Sequence, residues 1–204
     1  MHSNRSWHMA EAARKAWTVE EFFDWQEKQD DRYELVDGLP LRMMAGASAA
    51  HVQVSVNVLG QLYIQLRGTG CRPFHGDGSV QTKPGQIRRP DIGVDCSPLI
   101  PGSYTSSGPR MVGEVLSPTT RTFDMLRKIE EYKRMTGLQR ILLIEPNKPE
   151  VAIWARSDAG EWQYSLAEGL AADLAMPEIG VVLKMADIYE GITLPADLQV
   201  VAGE

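Results

Sequence analysis

Apolar side chains recur along this chain with two different periods, and each period predicts a different regular structure. Between residues 48 and 67 they recur every three or four positions, which is the period of a helix with one buried face. The recurring residues are Val52, Val56, Leu59, Tyr63 and Leu66. We expect this helix to line the core through that face.

Shorter signals predict the other elements. Thr18 followed by Glu21 resembles a capping box, which predicts a short helix ending near residues 29–31. Asp37-Gly38 lies between two short apolar runs and predicts a hairpin, because this dipeptide suits a tight left-handed turn. A second long helix is predicted over Phe123–Met135. Apolar runs of strand length fall at residues 79–82, 92–96, 111–116, 140–145, 150–156, 162–166 and 181–183.

The order of these elements predicts the fold class. A strand at 111–116, a helix at 123–135 and a strand at 140–145 form a unit whose two strands pair in parallel through a right-handed crossover. The class is therefore α/β (α+β), with a mixed β-sheet flanked by helices. We expect a flexible N-terminal tail over residues 1–17 and a single domain over residues 18–204.

The net charge of −6 argues against a protein that coats nucleic acid non-specifically, because such binding needs many Lys and Arg contacts to phosphates. A local basic patch is compatible with this charge. Arg88, Arg89 and Arg121 belong to the stretch between residues 88 and 132 that carries the candidate chemistry, and we expect them to contact substrate phosphate.

The two cysteines, Cys71 and Cys96, are too few for a disulfide framework, and we expect two reduced thiols. No apolar run is long enough to cross a membrane, and the first seventeen residues contain no apolar signal core. These observations predict a cytoplasmic protein with no membrane partner.

Three ionisable residues on otherwise apolar elements carry the candidate chemistry. Asp91 opens one predicted strand, Glu114 lies inside the next, and Lys128 lies on the following helix. A carboxylate between valines is costly to bury unless a positive charge compensates it, and either a shared metal ion or a salt bridge to Lys128 could do so. Oxygen ligands without a nearby Cys or His pair suit Mg²⁺ or Mn²⁺.

Three further residues are possible auxiliaries. The helical pitch places Asp124 and Tyr132 on the face of Lys128, where we expect them to support the site rather than to react. His51 opens the long helix and could either contact a phosphate or simply cap or pack.

Four motifs in order resemble those of the Uma-type putative restriction endonucleases, a branch of the PD-(D/E)XK nuclease superfamily. They are Tyr33-Glu34-Leu35-Val36-Asp37-Gly38, Arg89-Pro90-Asp91, Glu114-Val115-Leu116-Ser117-Pro118 and Asp124-x-x-x-Lys128-x-x-x-Tyr132. The resemblance implies a restriction-endonuclease-like core and hydrolysis of DNA phosphodiesters by a metal-activated water, in a homodimer.

The resemblance also implies roles for single residues. Asp91, Glu114 and the main-chain carbonyl of Val115 would be metal ligands, and Glu34 matches an upstream acidic position that approaches the same site. The superfamily's usual lysine, two positions after the glutamate, is Leu116 here. Its role would therefore pass to Lys128, on the next helix.

Two alternatives stay open. The missing lysine at position 116 is compatible with a catalytically weak or inactive nuclease fold that serves as a binding or assembly module. Paired carboxylates could also serve a metal-independent hydrolase such as a glycosidase, which would need a carboxyl group with a raised pKa and an aromatic platform for the sugar.

Overall fold

The computed structural model describes residues 15–43, 46–117 and 123–194, except for the side chains of Phe123 and Asp124. The helices in this part are α1 (Val19–Gln26), α2 (Ala49–Leu66), α3 (Phe123–Lys133) and α4 (Met185–Ile188). The strands are β1 (Tyr33–Val36), β2 (Leu39–Arg42), β3 (Arg72–His75), β4 (Ser79–Lys83), β5 (Gln86–Arg88), β6 (Ile92–Asp95), β7 (Thr105–Ser106), β8 (Pro109–Val115), β9 (Arg140–Ile144), β10 (Glu150–Arg156), β11 (Trp162–Glu168), β12 (Asp173–Met176) and β13 (Val181–Lys184). None of the described helices is both long and apolar enough to span a membrane.

The described strands form three sheets. The largest has the order β11-β10-β9-β8-β6-β3, a second has the order β2-β1-β5-β4-β7, and β12 pairs with β13. The predicted parallel pair is present: β8 and β9 are hydrogen-bonded neighbours that run parallel, and α3 connects them in sequence. The α/β (α+β) class with a mixed β-sheet flanked by helices is thus confirmed, although the strands divide among more sheets than the one expected.

Helix α2 has the predicted length but buries a different face. Its buried residues are Val54, Val58, Leu62 and Leu66. Val52, Val56 and Tyr63, which were predicted to face the core, are each more than half exposed. The apolar period could not choose between the two faces, because no charged residue marks the solvent side between residues 49 and 66.

The predicted capping box and hairpin turn near the start of the domain are both present, and Trp17, which was assigned to the tail, contacts the turn and helix α1. Thr18 and Glu21 form the capping box, and Asp37 and Gly38 both have positive φ, at 50° and 75°. The N–H of Trp17 donates to the Gly38 carbonyl at 2.8 Å, and its ring packs edge-on against Trp25. Residue 17 therefore belongs to the folded domain and not to a flexible tail.

The unpredicted strands β3, β5, β7 and β12 are short and polar or interrupted by proline. β3 contains Pro73, and β5 consists of Gln86, Ile87 and Arg88, which are all buried. A charged residue in a three-residue run gives no strand signal, because its burial depends on partners elsewhere in the chain.

The cysteines form a disulfide bond, so the prediction of two reduced thiols is wrong. Cys71 directly precedes β3 and Cys96 directly follows β6. The register pairs Arg72 with Asp95, which brings the two cysteines opposite each other with Cα atoms 4.0 Å apart. The pairing could not be foreseen because β3 itself was not predicted.

Candidate functional site

Asp91 and Glu114 lie side by side at one end of the largest sheet. Asp91 directly precedes β6, and the pairing of Ile92 with Gly113 places it opposite Glu114 on β8. The N–H of Val115 donates to Asp91 Oδ2 at 2.8 Å, which fixes the carboxylate at this end of the sheet. Asp91 keeps 27% of its side chain exposed, whereas Glu114 is buried. The structure thus brings these two predicted site residues together.

Helix α3 places Lys128 and Tyr132 over Glu114. Lys128 Nζ lies 3.3 Å from Glu114 Oε1, and the Tyr132 hydroxyl donates to the same oxygen at 2.7 Å. Lys128 Nζ also lies 3.1 Å from Glu34 Oε1, so the ammonium group bridges two carboxylates. Tyr132 is fully buried. Glu34, Lys128 and Tyr132 all reach the cluster that the sequence predicted.

Arg88 and Glu131 extend the cluster into the interior. The Arg88 guanidinium donates to Glu131 through Nε at 2.7 Å and Nη2 at 2.9 Å, and to Glu34 Oε2 through Nη1 at 2.8 Å. Its side chain is only 4% exposed, so it has no surface to offer a phosphate and the predicted phosphate contact is wrong. Sequence reasoning missed Glu131. Its spacing of three residues from Lys128 on the same helix was the available signal.

The other predicted phosphate contacts do not form a basic surface in the described residues. Arg89 is buried, and its guanidinium donates to the carbonyls of Tyr33 and Asp77, which corrects its predicted role. Arg121 lies outside the described residues. For Asp124 the structure describes only the backbone, at the start of α3.

His51, on helix α2, lies beside Asp91. Its Nε2 is 3.5 Å from Asp91 Oδ1, and its Nδ1 is buried with no hydrogen-bond partner among the described residues. The pKa of His51 is raised, chiefly by its hydrogen bond to Asp91 and against the effect of burial. The structure thus places His51 beside a site carboxylate, and its contact with a phosphate stays a prediction.

Burial and charge together set the protonation of the cluster. Burial raises the pKa of Glu114 to about 7, with Asp91 adding to this and Lys128 opposing it. Burial also acts to raise the pKa of Glu34, but Lys128 and Arg88 outweigh it and the pKa is lowered. The pKa of Lys128 is raised despite its burial, because Glu114 and Glu34 favour the ammonium form. The Glu114 carboxyl group, whose pKa is about 7, therefore titrates near neutral pH, whereas the lowered pKa of Glu34 keeps that carboxylate ionised there.

The connected network balances its charges only when His51 is protonated. Its four carboxylates are Glu34, Asp91, Glu114 and Glu131, and its Lys and Arg cations are Arg88, Arg127 and Lys128. Four negative against three positive charges leave one negative charge, which either a protonated His51 beside Asp91 or a bound cation would balance.

The donor set fits a hard divalent ion such as Mg²⁺ or Mn²⁺. Asp91, Glu114 and the Val115 carbonyl would supply oxygen ligands at one end of the largest sheet. No group of three or more His, Cys, Asp or Glu side chains that could hold a metal occurs in the described part of the chain. Mg²⁺ keeps several waters and shares its coordination with substrate phosphates, so a set of few protein ligands is compatible with it.

The raised pKa of Glu114 predicts a pH-dependent stability for the metal-free protein. The folded state binds this proton more tightly than the unfolded chain, so the stabilisation is fully present below pH 4.5 and is lost as the pH rises through about 7. Between pH 5 and 8, the free energy of unfolding of wild type should fall relative to Glu114→Gln by on the order of 3 kcal/mol. Urea unfolding in a chelator measures this difference.

Parallel pH profiles for the two proteins would contradict that assignment. The lowered pKa values of Glu34 and Glu131 do not interfere, because their contributions are lost only as the pH falls below about 4.5.

Three comparisons place these observations among known proteins. The family described as Uma2, putative restriction endonuclease, matches residues 19–186. An uncharacterized protein of Synechocystis sp., slr1290, is 30% identical over 176 residues, covering 85% of this chain and 91% of the relative. The crystal structure of a putative nuclease belonging to DUF820 from Anabaena variabilis superimposes with a TM-score of 0.66 at 16% identity, covering 85% of this chain and 97% of that one.

Proposed function

We propose that the chain, which belongs to the Uma2 family of putative restriction endonucleases, is a metal-dependent endonuclease. It would hydrolyse DNA phosphodiester bonds through a metal-activated water. The observation that carries the proposal is the placement of Lys128 against Glu114, with Asp91 alongside, directly before the neighbouring strand β6. A lysine on a helix and two carboxylates, one on β8 and one at the start of β6, converge at one partly open end of the largest sheet.

Each residue has a distinct part in this proposal. A Mg²⁺ or Mn²⁺ ion held by Asp91, Glu114 and the Val115 carbonyl would neutralise phosphate charge and lower the pKa of a bound water. Lys128 is 16% exposed, so its ammonium group can donate to a phosphate oxygen while it holds Glu114. Tyr132 keeps the Glu114 carboxylate in one orientation through its hydroxyl. His51 contacts the Asp91 carboxylate and would hold it in place.

The polymer that is cleaved can be identified by direct comparison. Double-stranded DNA, single-stranded DNA and RNA of one sequence would be incubated separately with Mg²⁺ or Mn²⁺, each with a chelator control. Metal-dependent cleavage of DNA supports the proposal. Cleavage of RNA alone would show that the substrate is RNA and not the proposed DNA. Cleavage that survives the chelator would overturn the metal-dependent mechanism.

The alternative of a binding or assembly module is favoured by one observation. Glu114 Oε1 already accepts from Tyr132 and contacts Lys128, and the described residues offer no third acidic, His or Cys ligand. Such a protein would bind DNA in a filter or gel-shift assay without cleaving it in any metal. Cleavage by wild type would exclude it.

We also propose a homodimer, in which the exposed face of α2 packs against a second copy of the chain. Val52, Val56 and Tyr63 are each more than half exposed and recur at spacings of four and seven residues, so they lie on one side of the helix. Leu59, between them in sequence, is partly buried against the core of the same chain. No charged residue interrupts the helix, and interface cores are depleted of charge. A face with this pattern can pair with its own copy about a two-fold axis.

The dimer proposal predicts that Tyr63→Glu converts the protein to a monomer, because the new carboxylate would be buried without a partner in the interface. Light scattering at micromolar concentration measures the mass. Tyr164→Glu is the matched control, since Tyr164 is equally exposed but lies on β11. A wild-type monomer, or loss of the dimer in the control alone, would contradict the assignment of α2.

A cytoplasmic location is a further proposal, and the Cys71–Cys96 disulfide bears against it. Disulfides persist mainly in oxidising compartments. A thiol count on protein taken from the cytoplasm under denaturing, alkylating conditions tests the location. Two free thiols would support a cytoplasmic location. The absence of free thiols would oppose it.

A further inference from the structure

The ammonium group of Lys128 is held in place by carboxylates on two other elements. Its nitrogen lies 3.1 Å from Glu34 Oε1 on β1 and 3.3 Å from Glu114 Oε1 on β8. A lysine has a flexible four-carbon stem and a rotating ammonium group, so one partner alone fixes its position poorly. The location of Lys128 therefore depends on the orientation of Glu34 as well as on Glu114.

The orientation of Glu34 depends in turn on Arg88. Glu34 Oε1 accepts from the N–H of Arg89 at 3.0 Å, and Oε2 accepts from Arg88 Nη1 at 2.8 Å. The side chain is buried, so water cannot replace either donor. If the Arg88 guanidinium turned, Oε2 would lose its partner and the Oε1 atom facing Lys128 would move with it.

Glu131 fixes the direction of the guanidinium group. It receives two parallel hydrogen bonds from Arg88, at 2.7 Å and 2.9 Å, and a third from Arg127 Nε at 3.0 Å. A bidentate pair between two planar groups sets their relative orientation. The remaining nitrogen of Arg88, Nη1, then points at Glu34.

The contacts close into a ring through helix α3. Lys128 and Glu131 both lie on α3, while Glu34 lies on β1 and Arg88 on β5. Helix α3 therefore carries both Lys128 and Glu131. The contacts run from Glu131 through Arg88 and Glu34 back to Lys128. A solvated ion pair would not need this arrangement, because surface partners tolerate many geometries.

We propose that Glu131 is a positioning residue of the site: through Arg88 it orients Glu34, and Glu34 holds the Lys128 ammonium group against Glu114. The inference rests on the proposed function for its kinetic consequence only. The positioning itself is a property of the protein without metal or substrate.

The kinetic test compares Glu131→Gln with Glu130→Gln. Glutamine keeps the shape of Glu131 but replaces one of its two acceptor oxygens with an NH2 donor, so the bidentate pair with Arg88 is lost. We expect kcat to fall about 10- to 100-fold with KM changed less than about twofold, because misplacement by about an ångström has this effect on a reacting group. Glu130→Gln should match wild type, since Glu130 is exposed and pairs only with Lys133 among the described contacts.

A double-substitution cycle separates positioning from simple destabilisation. In a Glu34→Gln background, Glu131→Gln should lower kcat by less than about twofold further, because the contact through which Glu131 acts is already lost. A full, independent loss in that background would overturn the proposal. If Glu131→Gln does not fold, Glu131→Asp replaces it in both arms of the cycle. Aspartate keeps the negative charge, but its side chain is too short for the bidentate pair with Arg88.

A spectroscopic test does not depend on cleavage. In protein labelled with ¹⁵N-lysine, the side-chain ammonium signal of Lys128, assigned with Lys128→Arg, should shift in metal-free Glu131→Gln and stay in place in Glu130→Gln. An unmoved signal in Glu131→Gln would overturn the proposal. If wild type fails to cleave any substrate, the proposed function fails while this signal still decides the positioning.

Discussion

Lys128→Met should lower the rate of metal-dependent DNA cleavage by about 100- to 1000-fold, which is the typical effect of removing one preorganised donor from a developing negative charge. Lys128 contacts both Glu114 and Glu34, and Met preserves most of its volume. Initial rates of plasmid nicking at saturating Mg²⁺ measure the effect. The expected loss lies in kcat, because the ammonium group acts on the reacting phosphate.

Lys133→Met provides a matched control for that experiment. Lys133 lies on the same helix but pairs with Glu130 and covers the ring of Trp154. It should retain wild-type activity. Equal rates for Lys128→Met and wild type would remove Lys128 from the mechanism and leave the role of the superfamily's lysine unassigned.

Arg88→Met should reduce the free energy of unfolding by about 3–5 kcal/mol, because it leaves two buried carboxylates without their shared partner. Glu34 and Glu131 are both buried, and Arg88 gives them three hydrogen bonds in total. Urea unfolding at neutral pH, with circular dichroism as the signal, measures the loss. The loss should shrink under acid conditions, where the orphaned carboxylates can protonate.

Arg127→Met is the comparison for Arg88→Met. Arg127 contacts Glu131 and Asp37 but is 36% exposed, and such pairs contribute at most about 1 kcal/mol. If Arg88→Met also cost less than about 1 kcal/mol, the buried network would be dispensable for folding, and its burial would need another explanation.

Local patterns predicted the elements that carry the site. The capping box at Thr18, the Asp37-Gly38 turn and the β8–α3–β9 unit each depend on residues close in sequence, and all three are present. Asp91 and Glu114 could be recognised as site residues because a carboxylate on an apolar strand is costly unless it has a partner. Their chemical roles remain predictions.

The features that sequence reasoning missed depend on contacts between distant residues. Arg88 was expected to contact phosphate, yet its partners are 54 and 43 residues away, at Glu34 and Glu131. The Cys71–Cys96 bond required the register of β3 against β6, which no local pattern gives. The buried face of α2 was misassigned because both faces are apolar, and only the packing of the whole molecule distinguishes them.

Plasmid cleavage by wild type, Asp91→Asn and Glu114→Gln, each in Mg²⁺ and in a chelator, tests the metal-dependent nuclease directly. Wild type should nick the plasmid only in Mg²⁺, and both variants should lose that nicking while they remain folded. Cleavage by Glu114→Gln at the wild-type rate would contradict the proposed mechanism, and so would wild-type cleavage that is unchanged by the chelator.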